Sequence, residues 1–225
     1  MERNFDRGMD LFCPSLFADK KVGIIWAGGI GSNSAYCLAK MWVKVKICDF
    51  DNVDDVNTSS QFYGMEQLGK PKVEMLKENI LNMANEEIEI INDKYKPEYF
   101  EDCDILVLAL DSLAVRKEVI ETCKDTQFIL DTRMLGRYSQ VNVLYWIQRD
   151  TWLEKEWDEN ADKINEWTRC TEKAIAFWAL GMASLVGSLV SDYFNNQVKP
   201  IEERKEFKYQ YVLDFTNYVL LTFNS

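Results

Sequence analysis

The chain has 225 residues, 47% hydrophobic and 28% charged, with a formal net charge of −11. That is enough chain to bury one large core, and the acidic balance argues against nucleic acid as main partner, since a phosphate backbone wants a basic face. Histidine is absent, which removes histidine bases, Ser-His-Asp catalysis and histidine metal ligands. The six cysteines, Cys13, Cys37, Cys48, Cys103, Cys123 and Cys170, show no C-x-x-C spacing, so no zinc is expected. No signal peptide is read at the start, and a reducing cytoplasm is the expected location.

Residues 1–19 read as an N-terminal arm carrying Arg3 and Arg7 and an apolar patch over 11–17. Residues 22–26 are an apolar run that predicts a buried strand. A glycine-rich turn follows, Ala27-Gly28-Gly29-Ile30-Gly31-Ser32, then helical spacing over 33–42. A second strand over 43–50 ends on the acids Asp49 and Asp51. Strand, glycine turn, helix, strand and acid make a nucleotide-binding half-unit. Glycines let backbone approach a phosphate, the helix start supplies unpaired N–H groups, and the acid reaches a ribose hydroxyl. A dehydrogenase-type unit, or a turn that only packs, carries the same pattern. The usual first glycine of that pattern is Trp26 here.

Residues 52–69 are polar and irregular. Residues 70–85 predict an amphipathic helix, with Pro71 in its first turn and Val73, Leu76, Ile80, Leu81 and Met83 on one face. Residues 87–91 alternate as a strand, and 105–110 form a continuous apolar run expected to be a central strand. Asp111-Ser112 caps a helix over 113–123. A short strand over 127–130, a loop over 131–138 and a strand over 140–145 follow. Alternating strands and helices predict an α/β, Rossmann-like fold, with a mixed, mostly parallel sheet flanked by helices. The glycine turn, Asp49, Asp111 and Asp131 then gather at the carboxyl edge of the strands, where such sheets bind ligands. Arg133 lies at the same edge.

Residues 148–170 are acidic and tryptophan-rich and read as a crossover segment. Residues 171–195 read as a long helix whose uncharged part, 174–190, contains Gly181, Ser184, Gly187 and Ser188. A membrane span needs about 20 apolar residues. The shorter, small-residue run predicts a buried central or dimer-interface helix, and no membrane association. Residues 206–223 predict a C-terminal hairpin, and no second domain is visible.

In order and spacing these segments resemble the ThiF/MoeB/HesA family, which activates ubiquitin-like and sulfur-carrier proteins. The resemblance rests on Trp26-Ala27-Gly28-Gly29-Ile30-Gly31-Ser32 against G-x-G-G-x-G-S, and Asp49-Phe50-Asp51-Asn52-Val53 against D-x-D-x-V. It continues with Val56-Asn57-Thr58-Ser59-Ser60-Gln61 against S-N-L-x-R-Q, Gly69-Lys70-Pro71-Lys72 against G-x-P-K, and Asp111-Ser112 with Arg116 against D-[NS]-x-x-x-R. It covers about residues 21–143 and is closest to the compact, stand-alone form without a zinc motif.

The resemblance implies a single adenylation domain over 1–225. It implies an ATP- and Mg²⁺-dependent adenylyltransferase. The C-terminal carboxylate of a small ubiquitin-like or sulfur-carrier protein or peptide, typically ending Gly-Gly, attacks the α-phosphate; an acyl-adenylate forms and pyrophosphate leaves. Carried over by residue, Gly28, Gly29 and Gly31 shape the nucleotide turn. Asp49 holds the ribose, with Asp51 beside the nucleotide. Asn57 and Gln61 contact the phosphate region, Lys72 meets the phosphates, and Asp111 binds Mg²⁺. Arg7 reaches the partner's site in a homodimer built on the 174–190 helix, and Cys170 accepts the activated carrier. Two departures stand against this: the pattern's arginine is Ser60 and its first glycine is Trp26. They support an alternative reading, a catalytically impaired binding or scaffold protein. For a nicotinamide dehydrogenase, a third reading, nothing beyond the glycine turn speaks.

Overall fold

The computed structural model describes Gly8 and residues 11–135, 138–155 and 176–224. Eight strands form one sheet in the order β3-β2-β1-β4-β5-β6-β7-β8. They are β1 (Lys21–Ile25), β2 (Lys44–Cys48), β3 (Glu89–Ile91), β4 (Ile105–Leu108), β5 (Phe128–Leu135), β6 (Tyr138–Leu144), β7 (Gln210–Asp214) and β8 (Val219–Phe223). The first five run parallel and β6 to β8 continue antiparallel. β1 and β4 are buried on both faces, which is why they read as unbroken apolar runs. The described helices are α1 (Gly29–Lys40), α2 (Lys72–Ala84), α3 (Leu113–Thr122), α4 (Trp146–Lys155) and α5 (Ala176–Val198).

Two apolar layers cover the sheet. One holds Val22, Ile24, Leu38, Leu76, Val107, Val186 and Val190, drawn from β1, β4, α1, α2 and α5. The other holds Ile25, Leu106, Leu108, Val119, Ile129 and Trp152, closed by α3 and α4. Alternate residues of β1 go to opposite layers, as period-2 alternation requires. The N-terminal residues join the first layer: Phe17, in a short 3-10 turn over Pro14–Phe17, stacks between Phe12 and Phe194 at 5.4 Å from each.

Several expectations need correction. The first helix begins inside the glycine turn, at Gly29, not after it. Residues 131–135 are not loop. They extend β5, because β6 pairs with them from Ile129↔Leu144 through Leu135↔Tyr138 and satisfies their backbone. On α2 the buried set is Val73, Met75, Leu76 and Ile80, while Leu81 and Met83 are exposed. The crossover segment contains α4; its remainder, residues 156–175, lies outside the described residues, as do Arg3, Arg7 and Cys170. The C-terminal hairpin forms, and adds to the main sheet through β6–β7 pairing.

The long helix α5 passes a length-and-hydropathy test for crossing a membrane, but half of its most apolar window is buried in the fold. Its two glycines are used within the chain, while Ser184 and Ser188 are exposed. A Cβ on Gly187 would meet Cys37 Sγ at 3.1 Å and Met41 Sδ at 3.3 Å, so glycine lets α5 lie close on α1. Gly181 similarly admits the Phe215 ring.

Candidate functional site

β1 continues into α1 on one side of the sheet and β4 into α3 on the other. The strand order therefore reverses between β1 and β4, and the crevice outside their carboxyl ends is the position where such sheets bind ligands. A cavity of about 250 Å³ lies there. Its wall includes Gly28 and Gly29, Asn57, Ser60 and Gln61, Lys72, Asp111, and Arg116 and Arg133.

The glycine turn forms one wall. Gly28 is the N-cap of α1 and no side chain caps the helix, so its first-turn amides and positive dipole end face the crevice. A Cβ on Gly28 would meet nothing within 4 Å, so the backbone there is open to a ligand. Gly31 is different. It is buried, does not line the cavity, and a Cβ there would fall 1.9 Å from the Trp26 carbonyl oxygen. Its role is close helix–strand packing. Trp26 takes φ +79°, a conformation that glycine adopts freely and a bulky residue does not. Its indole lies edge-on to Phe50 at 5.5 Å, and the residue lines the cavity.

Asp49 is not in the cavity, contrary to the ribose contact expected of it. It is fully buried, and accepts from the Ala27 amide at 2.8 Å and the Asp51 amide at 2.8 Å. Burial pushes its carboxyl up, against the lowering effects of Lys72 and these amides. The first acid thus holds the glycine turn to the end of β2, while Asp51 lines the cavity. Asp51 accepts from Lys72 Nζ at 3.3 Å, and its carbonyl accepts from the Lys72 amide at 2.9 Å. That docking explains the G-x-P-K segment. Gly69, at φ +78°, turns the chain so that Val53 bonds to Lys70 and Gly69 to Val53, and Asn52 bridges Pro71. Lys72 is 6% exposed, which rules out an ordinary solvated first-turn lysine.

The segment carrying Asn57 and Gln61 is stitched to α1. Asn33 Nδ2 donates to the Gly29 and Ser60 carbonyls, Ser32 Oγ accepts from the Phe62 amide, and Tyr63 donates to the Ala27 carbonyl. Asn57 Oδ1 accepts from the Asp54 amide and closes a capping box over Asp55–Ser59. Gln61 lines the cavity, and its Oε1 is buried without a hydrogen-bond partner among the described residues. Ser60 brings no charge.

The opposite wall is cationic. Asp131, fully buried on β5, accepts from Arg116, Arg133, Asn142 and the Trp152 indole, the last at 2.8 Å. Burial alone would raise its carboxyl; the two guanidiniums outweigh that and hold it below the ordinary carboxylate range. Arg116 also donates to the Leu108 and Leu110 carbonyls, which shapes the loop that presents Asp111. Asp111 is exposed at the cavity. The helix cap of α3 is Ser112, whose Oγ accepts from the Val115 amide. Among the described residues no cluster of three acids or cysteines could hold a metal unaided.

Sequence reasoning thus located Gly28, Gly29, Asp51, Asn57, Gln61, Lys72 and Asp111 at one cavity. It missed the buried network of Arg116, Asp131, Asn142 and Trp152. The signal available was a buried-strand aspartate two residues before an arginine, which the loop assignment hid.

An open, mostly parallel sheet with a lined crevice at its switch point defines a Rossmann-like α/β fold. The ThiF family model matches residues 15–217, and the chain belongs to the ThiF family. Among relatives, it is 26% identical over 134 residues to SUMO-activating enzyme subunit 2 of Dictyostelium discoideum, covering 55% of this chain and 20% of that one. It is 24% identical over 147 residues to ubiquitin-like modifier-activating enzyme 5 of Caenorhabditis briggsae, covering 64% and 32%. The chain thus spans about a fifth to a third of the length of these relatives. Among solved structures, PaaA superposes with a TM-score of 0.69 at 20% identity, over 92% of this chain and 64% of that one. Escherichia coli MccB, solved with ATP, superposes at 0.67 and 16% identity, over 94% and 64%. These likenesses establish a shared fold.

Proposed function

We propose that this protein binds ATP at the switch-point cavity and adenylates the C-terminal carboxylate of a small ubiquitin-like protein, sulfur carrier or peptide. The observation that carries the reading is the convergence on one cavity of the uncapped start of α1, buried Lys72, Gln61 and exposed Asp111. Attack on the α-phosphate builds negative charge on a crowded phosphorus. Fixed donors and cations aimed at that charge lower the barrier without reorganising. In this reading Gly28 and Gly29 present amides to the phosphates, Asp51 takes the ribose position that Asp49 leaves, and Lys72 neutralises phosphate charge. Asp111 is the carboxylate suited to Mg²⁺, which prefers a few carboxylates plus substrate phosphates. The names of the relatives, activating enzymes for ubiquitin-like modifiers, support the substrate class.

The test is pyrophosphate exchange into ATP with Mg²⁺ and a candidate carrier ending in Gly-Gly. Exchange is expected, and its loss in Asp111→Ala is expected to reach at least about 100-fold, the scale of one lost electrostatic contact in an active site. No exchange and no ATP binding would overturn the reading.

A second reading, a non-catalytic relative serving as a binding subunit, is favoured by Trp26 and Ser60. The cavity volume falls below the usual range of about 300–1,000 Å³ for small-molecule sites, and Trp26 is part of its wall. ATP binding that appears only in Trp26→Gly would favour this second reading. We also propose a cytoplasmic homodimer, with Arg7 in trans and Cys170 as acceptor; both residues lie outside the described parts of the chain.

A further inference from the structure

Trp26 follows β1 and opens the glycine turn, at φ +79°. A bulky residue holds that left-handed backbone only where its surroundings impose it, and such outliers gather at functional sites. The main chain of Trp26 is turned into the fold. Its amide donates to the Cys48 carbonyl at 2.9 Å, and its carbonyl faces Gly31 so closely that a Cβ there would stand 1.9 Å away. What Trp26 brings to the cavity wall is therefore its side chain.

The indole is partly buried. It packs on the second apolar layer and stands nearly perpendicular to the Phe50 ring, at 87° and 5.5 Å. Phe50 follows β2 and is 42% exposed. Lys94, just beyond β3, places its Nζ 5.4 Å from the centre of the Phe50 ring, within cation–π range. The aromatic pair thus occupies the β2–β3 side of the crevice, whereas the wall on the β4–β5 side carries Asp111, Arg116 and Arg133. A nucleobase gains most from a flat aromatic partner, which only the first side offers among these residues. Asp51, next to Phe50 in the chain, is the residue proposed for the ribose, so the base attached to that ribose falls on the aromatic side.

We propose that the side chain of Trp26 is the surface on which the base of the nucleotide stacks, with Phe50 as the positioning residue that fixes the indole. This position then sets the preference for a purine nucleotide over a pyrimidine or base-free one. The inference rests on the ATP reading of the cavity and adds the residue that reads the base. It predicts that the ring contributes affinity, the opposite sign from an indole that obstructs the cavity.

Binding of the Mg²⁺ complexes of ATP, CTP and ribose triphosphate, which lacks a base, is measured calorimetrically for the full chain and for Trp26→Leu, Trp26→Phe, Trp26→Gly and Phe50→Ala. Wild type is expected to bind ATP about threefold more tightly than CTP, the smaller base offering less stacking area. Trp26→Leu is expected to weaken ATP about 10-fold, the scale of one lost base stack, and ribose triphosphate less than about twofold. Trp26→Phe keeps a ring and retains most of the ATP preference. Trp26→Gly adopts the positive φ without strain and loses ATP affinity as Trp26→Leu does, which assigns the effect to the ring and not to the backbone. Phe50→Ala, at an exposed position, weakens ATP about threefold with ribose triphosphate unchanged. With wild type binding ATP, unchanged or tighter ATP binding in Trp26→Gly overturns this inference alone. Equal losses for ATP and ribose triphosphate in Trp26→Leu also overturn it, since the indole then serves only the shape of the turn. Wild type that binds ribose triphosphate but not ATP overturns it too, because the ring then excludes the base. Wild type that binds none of the three removes the ATP reading and this inference together.

Discussion

At the scale of single residues, the site depends on side chains and hydrogens that could not be exchanged without moving backbone. Gly31 is the plainest case. A Cβ placed 1.9 Å from the Trp26 carbonyl cannot be relieved by a rotamer change, because the obstacle is main chain. Gly31→Ala is therefore expected to lose stability at the upper end of the roughly 1–3 kcal/mol typical of overpacking, read as a lowered midpoint in urea unfolding. Asp131 offers a second case, through its charge. Asp131→Asn removes the carboxylate that buried Arg116 and partly buried Arg133 share, and should cost about 3–5 kcal/mol at neutral pH. Its native pKa lies below the ordinary 3.8, so its contribution is fully present above that value and fades as pH falls through the native one. The stability gap between wild type and Asp131→Asn should thus be constant from neutral pH down to about 4 and narrow below it. A gap that changes between pH 5 and 7 would assign the effect to another group.

At the scale of elements, α1 is held from two directions, and its position sets the glycine turn. On one side the loop over 55–63 is tied to it by Asn33, Ser32 and Tyr63. On the other α5 lies on it through Gly187, against Cys37 and Met41. Gly187→Leu should force these helices apart, costing about 1–3 kcal/mol and lowering the thermal midpoint. Because the displaced helix carries Gly28 and Gly29, the same variant should weaken ATP binding although residue 187 is remote from the cavity. Normal ATP affinity in a folded Gly187→Leu protein would show that the turn is held by the β1–Asp49 contacts alone.

At the scale of the whole molecule, Gly181 and Gly187 of α5 are packed against Phe215 and α1, whereas Ser184 and Ser188 on the same helix are exposed. Among the described residues, the exposed apolar side chains include Phe177 and Leu180 on α5 and Val219, Leu220, Leu221 and Phe223 on the edge strand β8, all 42% exposed or more. Natural sheets usually protect such edges, and contiguous exposed apolar surface marks an interaction site. Light scattering at micromolar concentration should give twice the chain mass, and Leu220→Lys with Leu221→Lys should shift it toward one. A single-chain mass for the wild type would remove the dimer proposal and, with it, a role for Arg7 in trans.

The local parts of this architecture were legible in the residues themselves. The glycine turn, the buried strands β1 and β4 and the helices α2 and α3 all follow from periodicity, caps and turn residues that act within a few positions of each other. So does the gathering of the glycine turn and Asp111, since strands alternating with helices bring their carboxyl ends to one edge; Gln61 and Lys72 were assigned there only by the family resemblance. What folding alone decided involves partners distant in sequence. Asp49 turned inward because the Ala27 amide, 22 residues away, needed an acceptor. Residues 131–135 became strand because β6 was there to pair with them, and Asp131 became a buried anion because Arg116, Arg133 and Trp152 meet around it. Local propensity reports how a segment prefers to bend; which buried polar group finds which partner is settled only when the sheet closes and the cost of leaving one unpaired is imposed.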